Sequence, residues 1–176
     1  HIYLTHDIDA ISQYRHLRGF LGGLRRGEGR QAWKALLDIH RDPLYTFPWL
    51  IEQDARVAQA EPIYFIKQTK GIGFDYPQYN LVGRDYKALK QLLLSSGAQL
   101  GVHSSYYGDL PRRPFSTLVR SHYLKGSISY LKKLAKAGYT DDFSMGFADQ
   151  AGFRLQTSRP VRWINPYTYT LTNLIL

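Results

Sequence analysis

Residues 1–9 read HIYLTHDID and contain the strand from which the predicted architecture follows. Residues 1–6 have the short, partly apolar pattern of a buried first strand, and Asp7 and Asp9 follow at its end. Because strand side chains alternate between faces, the two aspartates are expected on one face and His6 on the other. Neighbouring carboxylates repel each other unless a cation or a shared proton intervenes, which suggests a metal ligand beside a general base. The alternative is that one aspartate caps a following helix.

Strand-like and helix-like segments alternate along the rest of the chain. Further strands are predicted at 63–66, 98–103, 117–120, 141–145 and 161–164, and helices at 42–60, around 86–93 and around 128–135. This alternation predicts βαβ units in a mainly parallel sheet or barrel. In such folds the reacting groups gather at the carboxyl ends of the strands.

Length and composition favour one folded domain. The chain has 176 residues, 44% of them hydrophobic, so residues 1–176 are predicted to form a single domain, complete or part of a longer protein. There is no cysteine, which excludes a disulfide framework, a thiolate metal site and a cysteine nucleophile. No signal-peptide pattern and no membrane-spanning apolar run is visible, which favours a cytoplasmic location and no transmembrane segment.

The charge is strongly basic. The chain carries 23 Lys plus Arg against 14 Asp plus Glu, a net charge of +9, so its surface should attract acidic glycans, phospholipid headgroups or nucleic acid. Residues 12–41 are predicted to be a basic insertion of two short helices, broken at Gly22-Gly23 and at Gly27. A nucleic-acid-binding protein is an alternative, but no recognised motif supports it, and no specific nucleic acid partner is expected.

Two histidines stand at the ends of predicted strands. His103 follows the apolar strand 98–103, and His122 follows the strand 117–120. A single histidine is more often structural than a ligand, but two at neighbouring strand ends favour a site. Two imidazoles and a carboxylate form a set that Zn²⁺ accepts, with positions left for water and substrate. A metal held in this way supports amide or ester hydrolysis.

Several motifs resemble one known family. Residues 5–9, THDID, resemble the T-H-D-V-D variant of the first motif of the NodB-homology polysaccharide deacetylases. Residues 100–106, LGVHSSY, are similar to the G-L-H-x-S-Y form of the second motif, and residues 120–124, RSHYL, resemble the R-x-H-Y-L segment that follows it. Residues 142–160 are similar to the late block of the same branch. Together these motifs span most of the chain.

The resemblance implies a distorted, incomplete (β/α) barrel and removal of acetyl groups from N-acetylated sugars. The metal would be divalent, most often zinc, with cobalt, nickel or manganese as alternatives. By position, the resemblance gives the catalytic base at Asp7, metal ligands at Asp9, His103 and His122, and residues that orient the base or hold substrate oxygens at Arg120 and Arg154. Contacts to the sugar are expected from Ser105, Tyr106, Tyr107 and Asp142.

The chain departs from the family pattern in the second motif. Tyr107 stands where the common form of that motif ends in histidine, so His122 is expected to replace this ligand. Ile8 occupies the place of the adjacent acid in the usual first motif. A second hypothesis is therefore a catalytically inactive relative that binds glycans through a cleft lined by tyrosine and tryptophan.

Overall fold

The computed structural model describes residues 3–57, 61–70, 73–75, 79–147 and 149–176. The strands are β1 (Thr5–Ile8), β2 (Ile63–Lys67), β3 (Gln99–Ser104), β4 (Leu118–Ser121), β5 (Asp141–Asp142), β6 (Arg162–Asn165) and β7 (Thr170–Ile175). The helices are α1 (Leu17–Arg25), α2 (Gly29–Leu37), α3 (Phe47–Asp54), α4 (Arg84–Ser95) and α5 (Ile128–Lys136).

The strands form one mostly parallel seven-stranded sheet in the order β1-β2-β3-β4-β5-β7-β6. The β3–β4, β4–β5 and β5–β7 pairs are parallel, whereas β6 and β7 form an antiparallel pair. The α/β class and the mainly parallel sheet are thereby confirmed. Within the described ranges the sheet is open and is not closed into a barrel.

Residue contacts divide the chain into two compact units, the first comprising residues 1–64 and 77–99. In this unit, α1 and α2 pack around buried Tyr14, Ala32 and Ala35. The buried Asp42 carboxylate accepts hydrogen bonds from the backbone N–H groups of Gln13, Tyr14 and Leu44 at 2.7–3.0 Å. One carboxylate thus anchors the segment that precedes α1.

The second unit comprises residues 65–76 and 100–176. Its core contains Val102 from β3, Val119 from β4 and Leu174 from β7, all fully buried, with Leu134 of α5 packed against them. Ser127 caps α5 by accepting a hydrogen bond from the Tyr130 N–H at 3.2 Å. The apolar periodicity of α5 therefore faces the β3–β4–β7 core, and this packing fixes the ends of the strands.

The structure confirms α4, α5, β2, β3 and β4 close to their predicted positions. The first strand lies at Thr5–Ile8 and not at residues 1–6, so Asp7 is inside it; residues 1 and 2 lie outside the described ranges. Gly97 ends the turn after α4 with a φ of +83°, a conformation that favours glycine.

Three predicted boundaries are wrong. The helix expected over 42–60 begins at Phe47, because the Asp42 carboxylate accepts hydrogen bonds from the backbone N–H groups of Gln13 and Tyr14 and does not cap the helix. Residues 58–60 lie outside the described ranges. The basic segment is broken at Gly27 alone, since Gly22 and Gly23 lie inside α1. The strand expected at 141–145 is only two residues long, and β7 was not predicted.

In the described part of the chain, none of the helices combines the length and the apolar character needed to cross a bilayer.

Candidate metal centre

The first imidazole of the candidate site belongs to His103, which lies on β3 opposite Arg120 of β4. The side chain is 1% exposed, and its Nδ1 lies 3.1 Å from the backbone oxygen of Arg120. A carbonyl oxygen only accepts hydrogen bonds, so Nδ1 carries the proton and donates it. In the neutral form of the ring the lone pair is therefore on Nε2, which is the atom that can act as a ligand.

The second imidazole belongs to His122, the residue that follows β4. Positive φ angles at Tyr123 (57°) and Leu124 (51°) turn the chain sharply after His122. The ring is buried, and its Nδ1 donates a hydrogen bond to Oδ1 of Asp75. A carboxylate acceptor fixes the same tautomer as in His103, again with the lone pair on Nε2.

Asp75 holds His122 in place. It lies in a short 3₁₀ turn, Gly73–Asp75, and is 1% exposed. While Oδ1 accepts from His122, Oδ2 accepts from the backbone N–H of Tyr106 at 2.6 Å. Lys67 donates to the backbone oxygen of Asp75 at 3.0 Å. The carboxylate is thus engaged at both oxygens, and the turn that carries it is tied to β2.

The two imidazoles lie side by side. Their ring centroids are 5.2 Å apart and their planes are inclined by 76°. His103 and His122, both in the second unit, each offer one ring nitrogen as a ligand atom, and these two atoms lie within 4.8 Å of each other. Two neutral imidazoles and one carboxylate are ligands that Zn²⁺ and similar divalent ions accept. The two imidazoles can therefore contribute to a metal site, as predicted, whereas Asp9 lies in the first unit and its role as the third ligand stays a prediction.

Asp7 is exposed in β1, and its predicted role as the base stays a prediction. His6 is engaged elsewhere, as the alternation of the strand predicts. Its Nε2 lies 3.0 Å from both carboxylate oxygens of Asp54, and its ring contacts Tyr64, whose hydroxyl donates to the same carboxylate at 2.6 Å. His6 is therefore part of a structural hydrogen-bond cluster of the first unit.

The two arginines predicted to assist catalysis are held by backbone oxygens. Arg120 donates from Nε to the carbonyl of Phe143 at 3.1 Å, and its guanidinium lies 4.7 Å from the centre of the Phe65 ring. Arg154 donates from Nη1 to the carbonyl of Leu124 at 3.0 Å. Their predicted roles remain predictions, but each guanidinium is fixed in position within the second unit.

Asp142 is a buried carboxyl group at the end of β5. Its Oδ1 accepts from both the N–H and the hydroxyl of Ser144, whereas Oδ2 has no hydrogen-bond partner among the described residues. Burial raises the pKa of Asp142 to about 6, although the charges of Arg120 and Arg154 act in the opposite direction. Its predicted contact with substrate stays a prediction.

The loop after β3 carries the remaining predicted residues. Ser105 is buried, and its hydroxyl accepts from the Asp109 N–H at 2.9 Å, which closes the loop. Tyr107 is 56% exposed and contacts the ring of Tyr106 edge to face at 5.4 Å. The loop thus presents one structural hydroxyl and two tyrosine rings.

Three residues next to these were missed by the sequence reasoning. Tyr123, 60% exposed, packs on the ring of His122 with centroids 4.3 Å apart, and Lys125 lies 3.5 Å above the ring of Tyr106. Asp75 lies between the predicted strand 63–66 and the predicted helix around 86–93, outside every predicted element. A histidine that binds a metal through one ring nitrogen needs a hydrogen-bond acceptor at the other. This requirement predicts a buried acid of this kind, but it does not predict where in the sequence the acid lies.

Comparison of the chain with models of known families, with curated proteins and with solved structures gave no match.

Proposed function

We propose that this protein is a divalent-metal-dependent hydrolase that removes acetyl groups from N-acetylated sugars of a polysaccharide or glycan precursor. The observation that carries the proposal is the pair of buried imidazoles, each with its Nδ1 proton given to an oxygen acceptor. Such acceptors set the tautomer and orientation of histidine ligands in metal centres. The motif resemblance supports deacetylation as the reaction. It also supports a fold related to the distorted (β/α) barrel of the NodB-homology family.

In this proposal His103 and His122 hold the metal, with Asp9 as the third ligand that the motif resemblance implies, and zinc suits this ligand set best. When bound, such an ion polarises a carbonyl oxygen and lowers the pKa of a water ligand towards neutrality. Asp75 keeps His122 in the ligand tautomer. The exposed carboxylate of Asp7 takes the proton of the attacking water, a role that rests on the motif resemblance.

The tyrosines around the imidazoles suit a sugar substrate. Tyr106, Tyr107 and Tyr123 form a group of rings in edge contact, 5.4 and 6.2 Å apart, of which Tyr107 and Tyr123 are largely exposed. Aromatic side chains offer an apolar face and a hydroxyl, a combination that matches the apolar face and hydroxyl edge of a pyranose ring. We assign them to substrate binding.

A second candidate function is glycan binding without catalysis. It is favoured by the same exposed tyrosines and by Tyr107 at the position where the family's second motif has a histidine. The two functions make the same prediction for glycan affinity and opposite ones for acetate release.

The deciding experiment measures acetate released from N-acetylated oligosaccharides by the zinc-loaded protein. We expect release by the wild type and by the control Glu52→Gln, which alters an exposed acid of α3 outside the motifs. Asp7→Asn should keep the metal and lose the acetate release, and a chelator should abolish it. A wild type that binds these glycans and releases no acetate would overturn the hydrolase and favour the binding protein.

A further inference from the structure

The hairpin formed by α1 and α2 exposes apolar side chains that nothing in the described chain covers. On α1, Leu17, Leu21 and Leu24 are 76%, 43% and 43% exposed. Their spacing of four and three residues places them in one stripe about 60° wide. The opposite side of α1 is used for packing, since Gly23 is buried against Tyr14 and Ala32.

The second helix extends this apolar surface. Trp33 and Leu37, one turn apart on α2, are 58% and 84% exposed. The ring of Trp33 contacts Phe20 of α1 edge to face with centroids 5.2 Å apart, so the two stripes meet. Ala32 and Ala35 face inwards and let the two helices pack closely. Large apolar residues are thus outside and small ones inside, the reverse of an ordinary surface hairpin.

Basic residues flank the apolar stripe. Four cations are exposed and have no carboxylate partner among the described residues: Arg18, Arg25, Arg30 and Lys34. Arg26 and Arg41, by contrast, are paired with acids. Arg30, Lys34 and Arg41 also line an open cleft of about 710 Å³ beside α2. Large cations around an exposed leucine and tryptophan stripe are the composition of helices that lie in a membrane interface.

We propose that the α1–α2 hairpin is a membrane-docking surface that binds bilayers containing anionic phospholipid. The arginines and the lysine bind headgroup phosphates, and the leucines with Trp33 enter the boundary with the acyl chains. A nucleic acid or an acidic glycan would satisfy the cations but leave the leucine stripe in water. A second copy of the hairpin would bring like charges together.

Flotation of the full 176-residue chain with vesicles tests this inference. Binding should be strong to phosphatidylcholine vesicles containing phosphatidylserine, weak to pure phosphatidylcholine, and reduced by salt. Arg30→Gln with Lys34→Gln should lower the partition coefficient about 30-fold, each charge contributing about equally. Leu21→Ser with Leu24→Ser should lower it by about tenfold or more. All four side chains are exposed, so the variants should fold.

Matched control variants distinguish binding through this surface from nonspecific binding to vesicles. Lys133→Gln with Lys136→Gln removes two exposed charges from α5, and Leu94→Ser removes a leucine of α4 that is 57% exposed. Both should bind vesicles like the wild type. The fluorescence of the three tryptophans should shift to the blue on binding, and the shift should be lost in Trp33→Phe and kept in Trp49→Phe.

The inference is overturned if the wild type does not bind anionic vesicles, or if the control variants weaken binding as much as the hairpin variants. It is also overturned if the leucine variants bind vesicles normally and instead abolish self-association in light scattering, which would make the hairpin a contact between copies. If the protein binds oligonucleotides tightly, with the same affinity in the leucine variants, and does not bind vesicles, the cations serve to bind nucleic acid.

Discussion

Replacing Asp75 by asparagine should weaken metal binding while leaving every proposed ligand in place. The Asp75 carboxylate accepts from His122 at one oxygen and from the Tyr106 N–H at the other, and it is 1% exposed. Asparagine has the same shape, but its NH₂ group donates and cannot accept. In Asp75→Asn, therefore, either the imidazole or the backbone N–H loses its acceptor, and the negative charge is lost in both cases.

The size of the effect follows from this geometry. Loss of an acceptor behind a histidine ligand typically lowers metal affinity about 10- to 100-fold. This range corresponds to roughly 1.4 to 2.7 kcal/mol of binding free energy. A buried hydrogen bond to a charged group, worth about 1.5 to 3 kcal/mol, gives the same magnitude independently. We therefore expect the dissociation constant for zinc to rise about 30-fold.

Competition with a chelating chromophore measures this change, and circular dichroism checks that the variant is folded. Asp109→Asn is the matched control, since it alters an exposed acid of the loop after β3 and should bind zinc like the wild type. A folded Asp75→Asn protein with wild-type zinc affinity would refute the assignment of Asp75 as the residue that positions His122.

Three further predictions concern stability and are measured by urea unfolding. Because burial raises the pKa of Asp142 to about 6, the folded state binds this proton more tightly than the unfolded state. The stability contributed by the protonated Asp142 is complete below a pH of about 4 and is lost as the pH rises towards 6. This change of roughly 3 kcal/mol in the free energy of unfolding should be absent in Asp142→Asn. Parallel pH profiles of the wild type and the variant would contradict this. In Gly101→Ala the new methyl would lie 2.4 Å from the Phe65 ring, so the free energy of unfolding should fall by about 1 to 3 kcal/mol, and an unchanged value would contradict the close packing. Asp42→Ala leaves three backbone N–H groups without their acceptor and should cost about 3 kcal/mol, whereas a cost below about 0.5 kcal/mol would show that Asp42 does not anchor the segment before α1.

Elements with a strong apolar pattern could be predicted from the sequence. The continuous apolar run of β2 and the helical periodicity of α4 and α5 correspond to buried faces in the structure. The strand β7 was missed because half of the side chains of Thr170–Ile175 are exposed and the strand is defined by its pairing with β6. What makes this segment a strand is its hydrogen bonding to a partner strand, which its own residues do not reveal.

The candidate site divides in the same way. His103 and His122 could be predicted because each stands at the carboxyl end of an apolar strand. Asp75 could not, since its contact with His122 joins residues 47 apart in the sequence. The start of α3 was misplaced for a related reason: Asp42 has the sequence pattern of a helix cap, but it binds backbone groups 28 and 29 residues away.

The proposed function depends on the binding of a metal ion by the two buried imidazoles. It is tested most directly by equilibrium dialysis against Zn²⁺, followed by atomic emission on the wild type, His103→Ala, His122→Ala and the exposed-histidine control His40→Ala. We expect about one zinc ion per chain for the wild type and for the control, and almost none for the other two variants. One zinc ion retained by folded His103→Ala and His122→Ala proteins would contradict it.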